Sequence, residues 1–421
     1  MKAVLMTDLF QSLLMFAAVF SVIICSCLDA GGLWAILENA DASGRIQFLE
    51  ISVDPTVRHT VWSQVFGGCF IYCSLYAVNQ AQVQRLLTLP SLRSAQAALW
   101  VQVPILIVLS LTTSLAGLCI LYQYRECDPL VSGSRIIENK RYAIVIVSCS
   151  GRIRSPDQLL PLYIVERMSE MPGLPGLAVA GIFSGSLSTV SSAINSLAAV
   201  TLEDYIRPLV DLPDTKTPFI LKILALVFGF LCIGLAFLAD VLGTGVLQAS
   251  LTIFGVVGGP LLGLFTLGIL FRFKIILILA YRTHIFLCFR RVEQRGAVAG
   301  FLVGLAFISW IGFGGPKPPP VKLPVSVANC SIHIEPPEYN LSNTSEYFYL
   351  YRISYAWTCC LGFLVTVIIG NLVSEFLQLL SGAQQEVEPL LLAKIVRRKE
   401  ERERDGRQFR FGDKIPEPGA N

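Results

Sequence analysis

The stretch from Met171 to Leu202, MPGLPGLAVAGIFSGSLSTVSSAINSLAAVTL, carries no charged residue, yet it is crowded with hydroxyls between Gly181 and Ser196. A charge-free run longer than the roughly 20 residues that cross a bilayer as a helix reads as membrane-spanning. Its hydroxyls then need a reason. On a helix, Gly185, Ser188, Thr189, Ser192 and Ser196 share one small, polar face. Close helix packing is one use for such a face, with hydroxyls bonding across the contact or back to their own backbone. An alkali-cation site is the other, because a hard ion takes oxygen ligands. Both readings stay open on spacing alone.

The rest of the chain is of the same kind. With 54% hydrophobic and 15% charged residues in 421, it is too apolar for a soluble domain. Long uncharged runs occur at 9–28, 60–84, 94–124, 171–202, 223–239, 241–271, 296–316 and 353–374, which predicts an all-α polytopic protein of about eight transmembrane helices. The net charge of +3 is dispersed, so nucleic-acid binding has no support. The twelve cysteines lack metal-site spacing and the three histidines are isolated. Cys127 and Cys330 fall in loops expected outside, where a disulfide is one option. No acid pair, histidine cluster or metalloprotease motif lies in any span, so an intramembrane enzyme is not expected.

Read along the chain, Thr7 and Asp8 suit the start of the first helix, with Asp8 as a cap, and 29–59 reads as a polar loop. In the second segment, Gly67-Gly68 mark either a discontinuous helix or close packing. Arg85 and Arg93 then assign the next loop to the cytoplasm. Glu203 and Asp204 are expected in a short solvated loop with Arg207, and Pro260 predicts a kink in the sixth segment. Runs 136–155 and 274–291 are too basic or too short to span. The loop 314–352 carries sequons at Asn329, Asn340 and Asn343, which places it outside. The charged tail, 382–421, follows a transmembrane domain of 1–381 and is expected in the cytoplasm, the parity that eight crossings from an inside start require.

Several stretches together resemble the sodium/solute symporter family (solute carrier family 5): MKAVLMTDLFQ, SLYAVNQAQVQR, PGLPGLAVAGIFSGSLSTVSSAINSLAAVTLEDYI, VLQASLTIFGVVGGPLLGLF and YRISYAW. Within it, NQAQVQR and SGSLST look most like the monocarboxylate, multivitamin and iodide branch. The resemblance implies a partial LeuT-type inverted-repeat fold with sites where discontinuous helices meet. It implies sodium as the co-transported ion at Ser188 and Thr189, with Gly185 where relatives carry a hydroxyl and with Asp8 and Asp204 along the ion path. It also implies that Tyr72, Leu247, Gln248, Ser250 and Leu251 line the cavity for a small anionic solute. The expected setting is multi-pass in the plasma membrane, and self-association is left open. Family members carry about five helices ahead of MKAVLMTD. A truncated or variant product is therefore expected, with runs 136–155 and 274–291 as retained non-coding sequence or gene-model error. The alternative function is a non-transporting fragment that modulates a full-length relative; a receptor or scaffold acting through its tail is a further class.

Overall fold

The computed structural model describes residues 2–47, 49–129, 153, 156–210, 212–213, 215–238, 246–270, 292–318, 323, 325–328 and 346–381. In chain order its main helices are α1 (Lys2–Ala30), α2 (Leu33–Ala42), α3 (Gly68–Cys73), α4 (Gln80–Leu87), α5 (Leu92–Gln123), α6 (Leu159–Arg167), α7 (Leu174–Val200), α8 (Thr217–Leu238), α9 (Val246–Leu270), α10 (Gln294–Phe313) and α11 (Thr358–Ser381). The described residues contain no strand. Seven helices among them are long and apolar enough to cross a membrane. Their surfaces explain why water is the wrong solvent: in α8, Phe219, Phe230 and Phe237 all stand exposed. A helix this apolar on its outer faces is stable against lipid.

The eighth expected span is the informative one. Residues 61–78 form a short apolar helix in which α3 is flanked by π-helical turns at Ser63–Gly67 and Ser74–Val78. Thr60 and Ser63 start it with a reciprocal cap: the Thr60 amide donates to Ser63 Oγ at 2.9 Å and the Ser63 amide to Thr60 Oγ1 at 3.1 Å. It breaks at Asn79, whose backbone is extended (φ −73°, ψ 118°), before α4 resumes. The break is thus not at Gly67-Gly68, which are helical. Gly67 is a packing residue, since a Cβ there would lie 2.3 Å from the Ala356 carbonyl oxygen.

Other boundaries also move. Asp8 is no cap, because α1 begins at Lys2 and Asp8 sits in the helix body. Glu203 and Asp204 are not in a loop either. The chain continues past α7 as a π-helical stretch, Thr201–Ile206, in which Arg207 pairs with Glu203 one turn back at 3.1 Å. α9 runs through Pro260 as one helix. The loop 29–59 contains α2, and α6 lies ahead of α7, two helices too short and too polar to stand out from hydropathy alone. Cys127 is disulfide-bonded; Cys330 lies outside the described residues, as do most of 136–155, all of 274–291, the three sequons and the tail 382–421.

Two compact units divide the chain. The first comprises 1–49, 80–249 and 319–343. Its core gathers Val22, Ile36, Cys119, Tyr163, Ile164, Met168 and Ala178 from α1, α2, α5, α6 and α7. Beside that core the Tyr124 hydroxyl donates to Glu166 at 2.8 Å, and burial first, then this carboxylate, pushes the Tyr124 phenol up. The α7 stripe lies against α1 so closely that a Cβ on Gly181 would meet Ala18 Cβ at 2.2 Å. Gly173, at φ +89°, supplies the left-handed turn that starts α7, with Pro175 in its first turn.

The second unit comprises 50–79, 250–318 and 344–421. Its centre is a glycine seam: Gly296, Gly300 and Gly304 recur every fourth residue on α10, and each faces α11. A Cβ on Gly300 would come within 2.6 Å of Gly370 backbone atoms. Lipid gives helices no hydrophobic drive to associate, so small residues that admit close backbone contact take its place.

Candidate functional site

Within the first unit, α1, α4 and α7 bring a carboxylate, a guanidinium and two hydroxyls together. Asp8 accepts from Ser188 Oγ at 2.7 Å through Oδ1 and from Arg85 Nη2 at 2.8 Å through Oδ2. Arg85 also donates to Ser192 Oγ. Ser192 in turn donates to the Ser188 carbonyl at 2.9 Å, the ordinary back-bond of a serine within a transmembrane helix. The side chains of Asp8 and Arg85 are 17% and 34% exposed, so the carboxylate is the more enclosed partner and the arginine reaches it from outside.

The helix geometry explains this gathering. Gly181, Gly185, Ser188 and Ser192 form one stripe, and its glycine end lies on α1 at Ala18 and Met15, where the two backbones come close. One or two turns further along, the same close approach places Ser188 within reach of Asp8. Packing and polar chemistry therefore share the stripe, one at each end. A carboxylate on a membrane helix is costly unless paired, and here it has two donors.

The other expected residues fall elsewhere. Thr189 is exposed, and its hydroxyl donates to the Gly185 carbonyl at 3.4 Å, away from Asp8. Asp204 is exposed in the stretch that prolongs α7. Ser196 continues the stripe as a buried hydroxyl that finds no hydrogen-bond partner among the described residues. Tyr72 lies in the second unit, exposed, with its ring stacked on Tyr76 (centroids 6.2 Å apart, planes at 7°). Ser250 and Leu251 are in that unit, whereas Leu247 and Gln248 belong to the first. Arg85 and Ser192 are the site members that sequence reasoning passed over. By its local sequence Arg85 looks like a loop cation, although it closes the motif NQAQVQR, and Ser192 is one of several hydroxyls on the stripe.

No family model matches the chain. A Drosophila melanogaster protein provisionally named a sodium-dependent multivitamin transporter is 49% identical over 393 residues, 90% of this chain and 59% of that protein. Human sodium-coupled monocarboxylate transporter 1 is 35% identical over 413 residues, 92% of this chain and 61% of its own length. Over about nine tenths of its own length, then, the chain is similar to sodium-coupled solute transporters. The sodium-dependent multivitamin transporter of Oryctolagus cuniculus is 35% identical over 89% of this chain and 55% of its own length. A solved structure of a Na+-coupled sialic acid symporter, in a substrate-bound outward-open state, superposes with a TM-score of 0.58 at 19% identity, covering 89% of this chain and 62% of that one. The polytopic all-helical symporter fold expected from the sequence is thereby established. The chain spans about 60% of the length of its curated relatives.

Proposed function

We propose that this chain is the sodium-binding part of a symporter that carries a small anion across the plasma membrane by alternating access. One observation carries the reading: in a chain related over nine tenths of its length to sodium-coupled transporters, the uncharged α7 stripe presents Ser188 to the Asp8 carboxylate at 2.7 Å. Carboxylate and hydroxyl oxygens are what a hard monovalent cation takes. Asp8, Ser188 and Ser192 form one oxygen cluster; Thr189, which the family resemblance joins to Ser188, donates to the Gly185 carbonyl on the same helix.

In this reading sodium enters with the solute and stabilises one of two bundle arrangements, and each ion moving down the membrane potential supplies about 2.3 kcal/mol per 100 mV. The solute is a monocarboxylate or a vitamin, as in the relatives' names, or iodide, and Tyr72, Leu247, Gln248, Ser250 and Leu251 are its candidate contacts. The proposed orientation has the Arg85 end and the tail in the cytoplasm, the sequon loop outside and Asp204 along the ion's exit. The test is uptake of radiolabelled pyruvate, biotin and iodide by cells expressing the protein, in sodium and in choline. Sodium-dependent uptake abolished by Ser188→Ala is expected. Uptake that ignores sodium, or survives unchanged in both Ser188→Ala and Thr189→Ala, contradicts the assignment.

A further inference from the structure

We infer that Arg85 is a tethered cation that competes with sodium for Asp8, so that sodium binding is an exchange in which the guanidinium leaves the carboxylate. The inference rests on the sodium site proposed above and concerns what that site exchanges the ion for.

Three observations lead to it. First, the charges already cancel: Asp8 contributes one negative charge and Arg85 one positive at 2.8 Å. Adding sodium while Arg85 stays would leave a net positive charge in a half-enclosed site where repulsion is weakly screened. Second, Arg85 spans the site. From Nη2 it reaches both Asp8 Oδ2 and Ser192 Oγ, so it engages two of the three residues whose oxygens sodium would use. Third, leaving is easy for Arg85 and hard for Asp8. The arginine side chain is twice as exposed as the aspartate, and its long apolar stem lets the charged head move to water while α4 keeps its place. The Ser188 hydroxyl, which now donates to Asp8, needs only to rotate its hydrogen away to offer a lone pair.

The exchange also has a mechanical consequence. α4 is a helix of only eight residues that begins directly after the Asn79 break, and Arg85 is its charged tie to α1 and α7. Releasing Arg85 unties α4, so sodium occupancy sets how firmly that short helix is held.

Equilibrium binding of 22Na+ to the purified full chain tests the exchange, alongside Arg85→Gln, Arg85→Lys, Ser188→Ala and Asp8→Asn. Removing the competitor in Arg85→Gln should lower the half-saturating sodium concentration roughly fivefold, the scale of a partly exposed ion pair. Arg85→Lys, which keeps the charge on a shorter and more strongly hydrated head, should fall between Arg85→Gln and the unaltered protein. Hydrogen exchange of the 80–87 amides should accelerate when sodium replaces potassium in the unaltered protein, and should be fast in both salts in Arg85→Gln. Unchanged or weaker sodium binding in both arginine variants, with binding lost in Ser188→Ala and Asp8→Asn, overturns the exchange and leaves the site standing. Sodium binding that survives in Ser188→Ala and Asp8→Asn, or is absent from every protein tested, overturns the site and the exchange with it.

Discussion

Two helix pairs in this protein are built from the same small-residue code and put it to different uses. In the second unit, α10 meets α11 through Gly296, Gly300 and Gly304, and Asn371 and Ser374 of α11 donate to their own helix. Asn371 Nδ2 donates to the Val367 carbonyl at 2.6 Å and Ser374 Oγ to the Gly370 carbonyl at 2.7 Å. In the first unit, α7 meets α1 through Gly181 and Gly185, but beyond the glycines Ser188 and Arg85 converge on Asp8. A hydroxyl on a membrane helix can always satisfy itself against the backbone turn before it. One that donates instead to a carboxylate on another helix marks a place where packing alone does not account for the residue. The seam of the second unit is a structural joint, and that of the first carries a polar site at one end.

The largest expected effect tests the joint. Gly300→Leu would force a side chain into Gly370 backbone with no flexible neighbour to yield, and should cost about 3 kcal/mol or more. Loss of monodisperse protein on size-exclusion chromatography is the expected result; a well-behaved variant would mean that α10 and α11 are not in backbone contact. Gly181→Ala should be milder, about 1–3 kcal/mol, because it adds a single methyl; that methyl meets Ala18 Cβ, which no rotamer can move, so α1 and α7 must part slightly. Its thermal midpoint should drop, and an unchanged midpoint would loosen the α1–α7 contact on which the site depends.

The next pair of variants separates the two uses directly. Ser374→Ala removes a donor to Gly370 and the acceptor for the Glu293 amide, and should lower stability by about 1 kcal/mol while leaving any sodium response intact. Ser188→Ala should change stability in potassium by no more than about that amount, yet remove the sodium response. Similar behaviour of the two serines would erase the distinction between the seams.

The smallest effect is a pH dependence in the second unit. His59 Nε2 lies 2.6 Å from the Tyr355 hydroxyl, and burial together with the neighbouring Arg58 charge lowers the imidazole pKa below its usual value. A group lowered on folding favours its neutral form in the native state. Its contribution is therefore complete above the ordinary histidine pKa of about 6.5 and is lost as pH falls through and below it. A slightly lower melting temperature at pH 5.5 than at pH 7.5, absent in His59→Gln, is the expected outcome, and an identical slope in both proteins would contradict it.

Much of this was legible in the sequence because lipid imposes simple demands. Uncharged length identified the seven long spans, and the stripe Gly185, Ser188, Ser192 was visible from helical offsets with its two competing uses. The glycine end of the stripe packs on α1, and further along Ser188 meets the Asp8 carboxylate. The break in the second segment was foreseen in kind but misplaced, because adjacent glycines looked like the weak point while the helix stops at Asn79, before a run of polar amides. From its local sequence Asp8 looks like a cap, and only the family resemblance puts it on the ion path; its partners, Arg85 and Ser188, are 77 and 180 residues away, and no local rule connects them. Glu203 and Asp204 were assigned to a loop by their charge, whereas the helix carries them outward to its exposed end. Local physics, in short, located the helices; the pairings that give polar residues their roles are long-range.

The most direct test of the central claim is thermal unfolding of the purified protein in sodium chloride against potassium chloride at equal ionic strength. The account predicts that sodium alone raises the midpoint, that Ser188→Ala and Asp8→Asn each abolish the rise, and that Ser374→Ala preserves it. A midpoint indifferent to the choice of cation, or a sodium-specific rise that survives in Ser188→Ala and Asp8→Asn, would contradict the assignment of the ion to the α1–α7 seam.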